Sequence, residues 1–231
     1  MVAAVSAAGG TITALAGAVL LRLTFTGTYT RYVRAGMGPW LAIAGVLLVM
    51  LGVTTLVRAL RHARLVDAHD HGGSPPVGWL LLAPIAALLL VAPPTLGSYG
   101  VDRGAAVDIR SGARGFEPLA RGDGPVPMTL LEFGQRAFDR DGASLAGAAV
   151  ELTGFVAGGE HDGFRLARYQ IACCAADAAP VVVRVVGIHG DPPPRDTWVT
   201  VTGSSRPGAT EIPELAATSV IEIPEPDGPY K

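Results

Sequence analysis

The stretch 150–174, VELTGFVAGGEHDGFRLARYQIACC, decides how the second half of this chain folds. Its apolar positions alternate: Val150 and Leu152 come first, then Phe155, with Gly154 reading as a bulge. After GGEHDG (158–163), Phe164, Leu166 and Arg168 stand against Arg165, Tyr169 and Ile171. A period of two marks a half-buried strand, and the glycine-rich hexapeptide between the two runs marks a turn. The second run then ends on Cys173 and Cys174, the two cysteines of the chain.

Downstream the pattern repeats. APVVVRVVGI (179–188) is a near-continuous valine run, and DTWVTVTGSSRP (196–207) sets Trp198, Thr200 and Thr202 opposite Val199 and Val201. ATSVIEIPEP (217–226) closes the set, while ADAAP (176–180) and GDPPPRD (190–196) supply breaks. Five short strands at this spacing predict a small all-β barrel, for which the five-stranded OB-like Greek key is the natural candidate. Closure would hide strand edges that so much valine would otherwise expose. Just upstream, MTLLEFGQRAFDRD (128–141) has apolar residues at 130, 131, 133, 137 and 138, one face of a short helix ending before Gly142. The domain is therefore expected over 128–231 with this helix leading, and the Gly- and Arg-rich stretch 98–127 reads as a linker.

The first 97 residues are of another kind. Three apolar stretches, about 3–23, 39–59 and 77–97, are each long enough for a helix to cross a hydrocarbon core of about 30 Å. The first lacks the basic start of a signal peptide, and two more follow it, so three transmembrane helices are expected. Gly9, Gly10, Ala14, Gly17 and Ala18, with Ala42, Gly45 and Gly52, are small residues of the kind that let helices approach closely in lipid. The loop after the first span carries Arg31 and Arg34, and the loop after the second Arg58, Arg61 and Arg64. The larger count places the second loop inside and the C-terminal domain outside a bacterial plasma membrane.

Charge divides the same way. The chain is 16% charged with net charge −2. Residues 1–97 hold six arginines against two aspartates, and residues 98–231 hold twelve basic against eighteen acidic groups. An acidic domain poor in aromatics is a poor partner for a polyanion, so nucleic acid is excluded as a ligand class. Nucleophile-elbow, P-loop, dinucleotide and zincin motifs are missing, and an enzyme is not expected.

Adjacent cysteines seldom bond each other, because the small ring distorts the peptide and the disulfide alike. In an extended strand their side chains face opposite ways, so joint use requires the strand to end at the pair. Two readings stand. The thiols could pack as small apolar groups. Alternatively, Cys173 and Cys174, with Asp177 or a histidine from a nearby loop (His161, His189), could hold a soft or borderline ion such as zinc or copper. Arg168 and Asp177 flank the pair and are expected to bond across the turn and fix its shape. A second partial ligand set, His69 and His71 around Asp70, lies in the loop DAHDHGG (67–73).

Taken together, three N-terminal spans, a His-bearing loop, VELTGFV…GFRLARYQIACCAADAAPVVVRV…WVTVTG and the tail IPEPDGPY resemble the DUF1980 family of bacterial membrane proteins. The resemblance covers nearly the whole chain. Its most specific part is Arg168-x2-Ile171-x-Cys173-Cys174-x2-Asp177-Ala178 followed by a valine-rich strand. It implies an OB-like C-terminal domain and a larger multi-span permease as partner, with no substrate assigned. It also implies a longer His-rich loop than the short HDHGG present here. The leading expectation is an accessory subunit of a membrane permease, seated in membrane lipid, whose domain binds or hands over a substrate such as a metal ion. Two rivals need no permease: a membrane-tethered metal or cofactor chaperone, and a purely structural interaction domain.

Overall fold

Alanine, leucine, valine and glycine dominate residues 2–23 and 39–57 so evenly that no polar face remains, and such sequence makes helix that is apolar all round. The computed structural model describes residues 2–65, 95–104, 106–112, 115–119, 124–160, 162–188 and 190–231. The chain divides into two units, Met1–Pro94 and Thr95–Lys231. In the first, α1 spans Val2–Phe25 and α2 spans Gly38–Leu65. Ala7–Phe25 in α1, and Ala35–Arg61, which joins the 3-10 turn Ala35–Met37 to α2, are long and apolar enough to cross a membrane. The third expected span lies outside the described residues up to position 94, as do His69, His71, His161 and His189.

Hydroxyls inside these helices bond back to the preceding turn: Thr11 Oγ1 donates to Ala7 O, Thr24 to Leu20 O and Thr55 to Leu51 O, all at 2.8–2.9 Å. Such bonds satisfy the hydroxyls within the helix itself. The two helices meet through glycine. A Cβ at Gly17 would lie 2.7 Å from Gly45 O, and one at Gly52 would run into the backbone of Gly10 and Ala14. Part of the small-residue stripe is thus consumed within the chain, while Gly9 faces open space. Trp40, Ile43, Leu47, Met50 and Leu60 remain exposed along α2.

The second unit is built on a six-stranded mixed sheet: β1 (Val126–Met128), β2 (Ala149–Glu160), β3 (Gly163–Gln170), β4 (Ala179–Val186), β5 (Trp198–Arg206) and β6 (Glu214–Glu222). Neighbours run β1-β2-β3-β4-β6-β5, and β5 pairs again with β2, so the path through the last five strands returns to its start. The β1–β2 and β4–β6 pairs are parallel and the rest antiparallel. The bulge expected at Gly154 falls instead between Val156 and Gly158. Gly154 stays in register opposite Val199. Its lack of a side chain serves close approach, since a Cβ there would sit 2.6 Å from Ala167 O.

Strand alternation sorts the side chains into two cores. Val150, Leu152, Val156, Phe164, Leu166, Val181, Val183, Val185, Val199, Val201 and Leu215 make the larger one. Into it α3 (Leu130–Phe138) sends Leu130 and Phe133. The helix is capped by Thr129, whose hydroxyl accepts from Glu132 N, and braced by Arg136–Glu132 at 2.9 Å. After it the backbone reverses through three left-handed residues, Arg140, Asp141 and Gly142.

The opposite parity carries Phe155, Ala157, Ala167, Tyr169 and Trp198, which join Val101, Ile171 and Tyr230 in a second core. Residues 98–127, expected as a linker, therefore contribute structure of their own. Val101 is buried, Arg165 pairs with Asp102, and Ser98 donates from N and Oγ to the Asp196 carboxylate. These contacts rest on isolated apolar and polar residues inside a glycine-rich stretch, too sparse to show as a period.

Candidate metal centre

The two cysteines sit where the β3–β4 ladder opens. That ladder runs from Gly163↔Val186 to Gln170↔Ala179, leaving residues 171–178 as the connection. The cysteines are thus outside the strand in which the alternation had placed them. What replaces the ladder is one carboxylate. Asp177 Oδ1 accepts from Ala172 N at 2.8 Å, and Oδ2 accepts from Cys173 N at 2.8 Å and Cys174 N at 3.3 Å. A single 3-10 turn, Ala175–Asp177, brings the carboxylate back over these amides. Asp177 N donates to Cys174 O at 3.0 Å, and the Cys174 sulfur accepts from the same amide.

Freed from strand alternation, the two sulfurs fall together, 3.6 Å apart. Both are free thiols; Cys173 is exposed and Cys174 half-buried. With a carboxylate oxygen of Asp177, the three candidate ligand atoms lie within 4.8 Å of one another. The electrostatics are coupled. A hydrogen bond from the Cys173 thiol, followed by the backbone amide bonds, lowers the Asp177 carboxyl to about 2. The same bond, with lesser effects from Cys174 and burial, pushes the Cys173 thiol up to about 12. The turn therefore holds a proton on sulfur beside a fixed anion. A cation replacing the thiol protons would meet two thiolates and a carboxylate, a donor set suited to Cu(I) or Zn(II) rather than Mg(II) or Ca(II).

Arg168 and Asp177 do not bond each other as expected, because each has better-placed partners. Arg168 is buried, and its guanidinium donates to Pro229 O (3.2 Å), Thr153 O (3.3 Å) and Gly228 O (2.6 Å). Its plane lies over Trp198. Burial lowers its pKa. Ile171 is buried in the second core, and its N–H donates to Lys231 O at 3.0 Å while Lys231 N donates to Tyr169 O. Ala178 packs against that core. The motif residues Arg168 and Ile171 thus clamp the C-terminal tail beside the cysteine turn. The tail is the part that sequence reasoning passed over as a partner. Its signal is Tyr230, an aromatic residue in an otherwise polar run.

These features define a class: a chain with two apolar N-terminal helices and a β-domain that presents a carboxylate-organised dithiol turn. Residues 138–231 match the model of the DUF1980 C-terminal domain, which supports the resemblance to the DUF1980 family. The match takes in β2 to β6, the cysteine turn and the tail. No curated protein and no solved structure matches the chain.

Proposed function

We propose that this protein is an accessory subunit of a bacterial membrane permease whose extracytoplasmic domain captures a thiophilic metal ion, zinc or copper, at Cys173, Cys174 and Asp177. The observation that carries the reading is the convergence of the three ligand atoms on a turn already organised by the Asp177 carboxylate. A preorganised donor set loses less freedom on binding than one assembled around the ion.

The strands β2 to β6 are, in this reading, an OB-like barrel. Its support is the pairing order, which returns from β5 to β2 and includes one parallel pair, β4–β6, together with a main core drawn from all five strands. Membrane seating, as a multi-pass chain in lipid, is supported by the length of α1 and α2 and by the apolar side chains left uncovered on α2. Arg58, Arg61 and Arg64 in the last turns of α2, together with the expected third span, support the outward domain. The role is non-catalytic: the chemistry of the turn is binding and release.

Two measurements test it. Titrating the reduced, detergent-solubilised chain with Co(II), a spectroscopic stand-in for zinc, is expected to give sulfur-to-cobalt charge-transfer absorption that saturates near one ion per chain. Cys173→Ser is expected to remove that absorption, and its persistence would refute the site. Affinity isolation from native membranes is expected to bring down a larger multi-span protein, and recovery of the chain alone would refute the subunit role.

A further inference from the structure

β6 is paired on both sides only at its start. Glu214, Leu215 and Ala216 lie beside β4, whereas β5 follows the strand to Glu222. Among the described residues, Ala217–Glu222 has no strand on its other edge. Ile223 N donates to Trp198 O at 2.9 Å. Bonding alternates along an antiparallel pair, so Ile221 faces β5 while the N–H and C=O of Val220 and Glu222 point away from it. An open edge of this kind is a template for another chain. Beside it runs a groove of about 610 Å³ with Phe164, Ile188, Pro193 and Val220 in its walls and the carboxylates of Asp191 and Glu222 along it. Among the described residues, none in its lining is basic.

We propose that this edge and groove receive an extended, basic segment of a partner protein as an added strand beside β6. Recognition of this type draws affinity from main-chain hydrogen bonds and selectivity from pockets for alternate side chains. The outward groups of Val220 and Glu222 supply the first, and the apolar walls take one set of alternate side chains. Asp191 and Glu222 select arginine or lysine in the other set. A second copy of the chain is disfavoured as occupant, because edge-to-edge pairing would set acidic edges against each other. The inference is independent of metal binding at the cysteine turn.

The test uses the full chain in detergent and fluorescence anisotropy with three dye-labelled six-residue peptides: alternating Val-Arg, alternating Val-Glu, and alternating Pro-Arg. The last matches the basic peptide in charge, but its prolines remove every second N–H and their rings disfavour an added strand. The Val-Arg peptide is expected to bind saturably, and about tenfold or more tightly than either of the others. Val220→Pro, which deletes an outward N–H, is expected to weaken it about tenfold. Should that variant fail to fold, Glu222→Lys, at an exposed side chain, is expected to abolish the preference for the basic peptide. Equal binding of the Val-Arg and Pro-Arg peptides would reduce the effect to charge attraction and overturn the proposal, as would the absence of saturable binding.

Discussion

Asp177 is the residue on which the candidate site depends. Its carboxylate holds three consecutive amides and also takes a hydrogen bond from the Cys173 thiol. The pH dependence follows from the signs. The carboxyl is lowered from its ordinary 3.8 to about 2, so its contribution is fully present above 3.8 and is lost as pH falls through about 2. The Cys173 thiol is raised from 9.0 to about 12, so the protonated thiol is favoured by folding below 9.0, and that contribution is lost as pH rises through about 12. Asp177→Asn removes the anion and one of the two acceptors. It is expected to speed alkylation of Cys173 by iodoacetamide at pH 8 roughly tenfold or more, read by peptide mass spectrometry. An unchanged rate would mean that Asp177 does not control the thiol. From sequence alone Asp177 was visible as a candidate ligand. Its grip on the amides was not, because nothing in the letters shows which way a carboxylate turns.

Among the elements, the strands were the most legible. Period-two alternation in 150–174 and the valine run of 179–188 correspond to β2, β3 and β4. The misplaced bulge has a simple cause. Glycine signals either a bulge or a close approach, and Gly154 serves the second purpose opposite Ala167 O. The cysteines were assigned to the strand because Ile171, Ala172 and Cys173 continue an apolar run, whereas Asp177 diverts the backbone before them. The C-terminal tail was read as a family signature rather than as structure. It nevertheless covers the second core, where Tyr230 meets Tyr169 edge to face at 6.5 Å between ring centroids. Tyr230→Ala is expected to cost about 3 kcal/mol in urea unfolding of the domain, from the lost aromatic burial and the cavity it leaves. A change below about 0.5 kcal/mol would show that the tail does not seal this core.

At the scale of the whole molecule, composition separated an apolar N-terminal part from an acidic β-domain, and the described residues divide at Pro94 and Thr95. The stripe of small residues was legible as helix-packing surface; that Gly10, Gly17, Gly45 and Gly52 spend it on the α1–α2 contact was not, since spacing does not name a partner. The open edge of β6 escaped the sequence for a related reason. Closure was expected from the valine content, but strand pairing depends on register, and β4 accompanies β6 for three residues only. The most direct test of the central claim is the metal content of the full chain. It would be purified under reducing conditions and measured by inductively coupled plasma mass spectrometry beside a Cys173→Ser/Cys174→Ser variant of equal thermal stability. The account predicts zinc or copper near one ion per chain in the parent and none above background in the variant. Metal-free parent protein, or the same content in both, would contradict it.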